Sequence, residues 1–171
     1  MKTTMGEYVV GAYLKQRLKC DVVDYNVRPP DGGLEGLAEF DVVGLKFSDR
    51  LAYICEVVTH LDGINYGNNR KTIERVRKKH ERQRWYAKEY LPDFTPIFML
   101  WSPVVPKGYL TQHLQTIQSL ELFINERYKA CVDELRKDAK RTTRDTGNPF
   151  LRALQILEHL RDGGTVNSSG T

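Results

Sequence analysis

Residues 39–59 constrain the fold more than any other part of the chain. Two apolar, β-branched runs, Glu39–Phe47 and Leu51–Thr59, flank a three-residue link, Ser48-Asp49-Arg50. A link that short joins neighbouring strands running in opposite directions, so the segment is expected to form an antiparallel hairpin. Side chains alternate along a strand. Glu39, Asp41, Val43 and Leu45 therefore share one face of the first strand. On the second, Tyr53 and Cys55 take one face, while Ile54, Glu56, Val58 and His60 take the other. A turn centred between Ser48 and Asp49 sets Asp41 opposite Glu56. Two facing carboxylates in an apolar hairpin repel each other unless a proton or a cation lies between them. Oxygen donors of this kind suit Mg2+ or Mn2+.

The segments around the hairpin give an element order. Gly6–Lys19 reads as a helix whose inward stripe is Glu7, Gly11, Leu14 and Leu18, with Val10 beside it. A carboxylate on that stripe needs a partner or a task, and Glu7 is placed to be a third oxygen donor or to hold a water. Asp21–Arg28 reads as a strand, ended by a Pro29–Gly36 loop that could reach a nucleic-acid groove. A long helix is expected from Asn69 to Tyr90, ended by Pro92, and a further strand from Thr95 to Trp101. Leu110–Tyr128 reads as one helix, continued or followed by another over Ala130–Lys140. Pro149 opens a last helix that runs to about Leu160. Residues 1–162 are read as one domain and 163–171 as a polar, flexible tail. A hairpin, a crossover helix and a further strand imply an α/β fold: a mixed sheet with an α-β-β-β-α-β core, flanked by helices.

Charge is unevenly spread. The chain carries a formal +4. Residues 68–89 hold nine basic and three acidic side chains, so this one helix is at +6 and the remainder is slightly acidic. A basic helix on an acidic body is either a footprint for a polyanion or a solvated face. Lys71, Arg75, Lys78 and Arg82 form its outward stripe, and Ile73, Val76, His80 and Gln83 its inward one. Other classes lack their anchors. No Gly-x-x-x-x-Gly-Lys-Ser/Thr loop cradles a nucleotide and no Gly-x-Ser-x-Gly elbow presents a nucleophile. No apolar run is long enough for a membrane span. Cys20, Cys55 and Cys131 are too far apart in sequence for a CxxC pair and read as free thiols, as expected of a cytoplasmic protein.

These residues, in this order, resemble the PD-(D/E)xK, or restriction-endonuclease-like, nuclease superfamily. The resemblance spans about Gly6 to Trp101. By position Glu7 matches the helical acid of that family, Asp41 its strand aspartate and Glu56 its strand glutamate. It implies a Mg2+- or Mn2+-dependent phosphodiester hydrolase. Asp41 and Glu56, with the Val57 carbonyl, would hold the metal, and Lys71, Arg75, Lys78 and Arg82 would lie on the phosphates of nucleic acid, with DNA the expected polymer. A homodimer and no membrane partner are part of the same expectation. One departure stands out: the family lysine two residues after the glutamate is Val58 here. Some members move that role elsewhere. His60, on the Glu56 face, is the candidate general base. Gln83 with Tyr86 or Tyr90 is loosely similar to a helix signature of exonuclease-like members. Two alternatives stay open: an inactive nuclease-like module that binds nucleic acid or a protein, and an unrelated α/β interaction protein.

Overall fold

The computed structural model describes residues 2–30 and 39–161. Most of the 29–36 loop and the 163–171 tail lie outside the described residues. The elements run α1 (Met5–Gln16), β1 (Val22–Val27), β2 (Phe40–Lys46), β3 (Leu51–Val57), α2 (Asn69–Tyr90), β4 (Thr95–Ser102), α3 (Tyr109–Gln115), β5 (Leu120–Ile124), α4 (Glu126–Arg141) and α5 (Pro149–Arg161). The five strands form one mixed sheet in the order β1-β2-β3-β4-β5. The pairs β1–β2 and β2–β3 are antiparallel, and β3–β4 and β4–β5 are parallel.

The hairpin register is the one the turn dictates. Val42 pairs with Cys55 and Val43 with Ile54, so Asp41 lies across from Glu56 one step beyond the last paired residues. The two sheet faces bury different helices. On one face Val42, Cys55, Met99, Trp101 and Phe123 meet Val10 and Leu14 of α1, Leu135 of α4 and Leu151 of α5. Trp101 is fully buried and stacks on Phe123 with centroids 4.1 Å apart. On the other face Val43, Ile54 and Phe98 pack on Tyr86 and Ala87 of α2, while Val58 and Leu100 pack on Ile73 and Val76 of α2 and Leu110 and Leu114 of α3. The three cysteines are free and buried. Among the described residues no helix is long and apolar enough to cross a membrane.

One expected element divides into three. Residues 110–128 are not a single helix: α3 stops at Gln115, β5 follows, and α4 starts at Glu126. Two residues in left-handed backbone, Ser119 (φ 60°) and Asn125 (φ 52°), bracket the strand and break helical geometry at both ends. Between them Leu120, Leu122 and Ile124 join the α2/α3 side while Phe123 joins the other, an alternation that a strand satisfies and a helix does not. The Asn125 side chain then clips the chain to the loop after β4, accepting from the Val105 N–H (2.8 Å) and donating to the Val105 carbonyl (3.0 Å).

Two local devices hold α1. Its N-cap Thr4 forms a capping box with Glu7: the Thr4 hydroxyl accepts from the Glu7 N–H, and Glu7 Oε2 accepts from the Thr4 N–H at 3.1 Å. At the start of α5, Asn148 Nδ2 donates to the Tyr8 carbonyl of α1 (3.0 Å), while its Oδ1 accepts from the Leu151 N–H (3.0 Å). Gly6 lets the first turn of α1 press against the chain leaving β3, since a Cβ there would lie 2.2 Å from the Thr59 methyl. Gly6→Ala is expected to cost about 1–3 kcal/mol through that overlap. Urea unfolding checks this as a lower midpoint at unchanged slope.

Candidate functional site

The site forms where the β2–β3 ladder ends. Beyond Val42–Cys55 the strands no longer exchange ladder bonds, and side chains take over. Asp41 Oδ2 accepts a 2.7 Å hydrogen bond from the backbone N–H of Val57, which fixes the carboxylate against the last residue of β3. Glu56, 7% exposed, faces α2 and is paired there with Lys79 through Lys79 Nζ and Glu56 Oε1. Lys79 thus lies against the strand glutamate on the face where Val58 stands in place of a strand lysine.

α2 is held over the sheet by a neighbouring buried amide. Gln83, 2% exposed, donates from Nε2 to the Ile54 carbonyl (2.9 Å) and more distantly to the Met99 carbonyl (3.5 Å), bridging β3 and β4. Buried amides need such partners, and a helix tied to two strand carbonyls keeps its rotation over the sheet. His80 completes the contact: Nε2 donates to the Gln118 carbonyl (2.9 Å) and Nδ1 lies 3.3 Å from Gln83 Oε1. Lys79 sits one turn before Gln83, on the flank of α2 that reaches Glu56 of β3.

The charges are not balanced by Lys79 alone. Burial pushes the Asp41 carboxyl above its ordinary value. The Val57 N–H bond and the Lys79 charge pull it back, and the Glu7 and Glu39 carboxylates add to the push. Burial also lowers the Lys79 ammonium, with Asp41 opposing that shift and Arg82 adding to it. Four carboxylates, Glu7, Glu39, Asp41 and Glu56, therefore lie at one end of the sheet, with Lys79 paired to Glu56 and Arg28 to Glu39. Asp41 Oδ1 and Glu56 Oε2 make no hydrogen bond among the described residues. Two carboxylates with oxygens left unbonded are a donor set of the kind a hard divalent cation takes. Among the described residues no three His, Cys, Asp or Glu side chains converge as a metal cluster.

The other expected residues fall in several places. Glu7 is buried at this end of the sheet, but its Oε2 is committed to the cap and to Asn26 Nδ2 (3.4 Å). β3 stops at Val57, so strand alternation does not reach His60, which is exposed in the following loop. Lys71 and Lys78 are exposed on the outer ridge of α2. Arg75 lies over the Tyr66 ring, its guanidinium carbon 4.1 Å from the centroid. Arg82 is half-buried. Lys79 is the residue that sequence reasoning misses. It lies four residues after Arg75 and three before Arg82, at the boundary between the apolar and the basic stripes, where the sequence alone gives it no partner.

No family model matches the chain, and no curated protein matches it. A solved structure similar to it is a crystal structure of a protein of unknown function, AF1548, with TM-score 0.47 and 16% identity over 91% of this chain and 77% of that one.

Asp41 gives a pH test with a definite sign. Its folded value lies above its unfolded one. Its contribution to stability is then fully present below the unfolded value of about 3.9 and is lost as pH rises through the folded value. Asp41→Asn, which keeps an acceptor for the Val57 N–H, is expected to melt above the wild type at pH 7. The gap should shrink as pH falls into the carboxylate range, a trend that thermal melts between pH 4 and 8 measure.

Proposed function

We propose that this chain is a divalent-metal-dependent nuclease of the restriction-endonuclease-like kind, hydrolysing phosphodiester bonds in DNA. The observation that carries the reading is Lys79, an ammonium delivered from α2 to Glu56, beside Asp41, where the strand position expected to hold a lysine is Val58. The element order and the Asp41–Glu56 register support the same assignment.

In this reading Asp41 and Glu56, with the Val57 carbonyl, would hold Mg2+ or Mn2+. Such an ion polarises a phosphoryl oxygen and lowers the pKa of a nearby water. Lys79 orients the attacking water and offsets charge that gathers on the phosphoryl group. Its pairing with Glu56 and its partial burial fix the ammonium in one place, as orientation requires. The water oxygen forms a new bond to phosphorus, one ester P–O bond breaks, and a water proton ends on the departing alkoxide. The basic ridge of α2 binds the polymer and carries no sequence information by itself.

The test incubates the protein with circular and linear DNA and RNA, with Mg2+ or Mn2+ or with chelator. Glu56→Gln keeps the shape of the side chain and an acceptor for Lys79, and Lys79→Met removes the ammonium. Each is expected to lose about 100-fold or more of a metal-dependent cleavage rate, the usual scale for a group acting on the attacking water, with circular dichroism unchanged. Salt-sensitive DNA binding with no cleavage under any of these conditions would instead make the chain an inactive binding module.

A further inference from the structure

Lys79 does not stand alone on its flank of α2. Arg75 and Arg82 lie four residues before it and three after it, so the three cations form one column over two helical turns. At about 1.5 Å of rise per residue, Arg75 starts about 6 Å to one side of Lys79 and Arg82 about 4.5 Å to the other. Lys79 is neutralised by Glu56, and the outer two are not: neither Arg75 nor Arg82 has an ion pair among the described residues.

The surroundings of the two arginines differ from those of ordinary solvated side chains. Arg82 is half-buried next to a second cation, and burial lowers its guanidinium below the ordinary value. A partly desolvated cation beside another cation and without a counterion is a costly arrangement that an anion relieves. Arg75 is braced flat on Tyr66. Tyr66 is in turn fixed, its N–H donating to Thr72 Oγ1 (3.0 Å), and that buried hydroxyl donates to the Asn68 carbonyl (2.8 Å). Burial raises the Tyr66 hydroxyl above its ordinary value, with the Arg75 charge opposing that shift and the Asp41 carboxylate adding to it. By contrast Arg70, on another flank of the same helix, is paired with Glu74 at 3.0 Å.

Resting on the nuclease reading, we propose that Arg75 and Arg82 hold the backbone phosphates on either side of the one at Asp41, Glu56 and Lys79. The substrate is then the interior of a polynucleotide strand and the cut is endonucleolytic. A pocket for a strand end would gather its cations on one side of the reacting phosphate. This column places one on each side, and the exposed Lys71 and Lys78 continue the ridge.

The experiment has two arms. In the first, binding of a fluorescein-labelled 12-nucleotide single strand is followed by anisotropy in chelator, where no cleavage interferes. Arg75→Ala and Arg82→Ala are each expected to weaken binding about 5- to 10-fold and to lower the salt slope by about 0.7. Arg77→Ala, an equal loss of charge on another flank of α2, should change binding less than about twofold by the same electrostatic argument. Equal losses in all three variants overturn the proposal, because binding would then follow net charge and not the column. In the second arm, closed-circular and linear DNA of one sequence are incubated with Mn2+. Cutting of the circles supports interior cleavage, and digestion confined to linear DNA overturns it. If neither is cut while the binding losses remain confined to Arg75 and Arg82, the nuclease reading fails and the phosphate track stands.

Discussion

The pairing of β2 with β3 is the constraint on which the rest depends. Side chains alternate with a period of two, so a slip of one residue between the two strands would put Asp41 and Glu56 on opposite faces of the sheet. The tight turn at Phe47–Arg50 prevents that slip. It is secured by Arg50 in left-handed backbone (φ 50°), by its carbonyl accepting from the Thr95 N–H at the start of β4 (2.7 Å), and by Asp21 Oδ2 accepting from the Phe47 N–H (2.8 Å). With the register held, two acids meet where the ladder ends and backbone groups are free to bind side chains. The Val57 N–H, which has no partner on β2, is taken by Asp41.

The register of the acids was legible because a short link and a period of two leave one solution. The buried stripe of α2 was also legible: Ile73, Val76, His80 and Gln83 are all buried. What lay beyond reach followed from tertiary contacts. Lys79 sits at the boundary of that stripe, and a long flexible side chain at a boundary reads as solvated unless the sheet beneath it is known to carry an acid. β5 is five residues long and contains Glu121, too little for periodicity to outweigh the helical spacing on either side. Glu7 shows a competition between two legible signals. Its place on an apolar helix stripe suggests a role in the site, while Thr4, three residues earlier, suggests a capping box. The structure satisfies the second and still leaves the carboxylate close enough to raise Asp41.

The site is also where local stability is given up. A carboxyl held above its ordinary value, an ammonium held below, and a half-buried arginine without an anion each raise the free energy of the folded chain. Away from the site several buried polar groups are matched, as where Gln155 Nε2 donates to the carbonyls of Thr142 and Arg144 and Arg136 Nε donates to Glu158 Oε1, while Trp101 Nε1 has no hydrogen-bond partner among the described residues.

The bond from Asn148 to Tyr8 has a consequence for how the chain is made. α1 packs on the sheet and also against α4 and α5, and Asn148, the residue before α5 that donates to the Tyr8 carbonyl, lies 140 positions further along. A ribosome releases the hairpin and α2 long before it releases α5. Until α5 emerges, α1 has the sheet beneath it, but the part of its apolar surface that meets α5 stays uncovered. Contacts of such long sequence separation are slow to form, and apolar surface left waiting invites association with other chains. α1, made before every strand of the sheet, is thus among the last of these elements to finish packing.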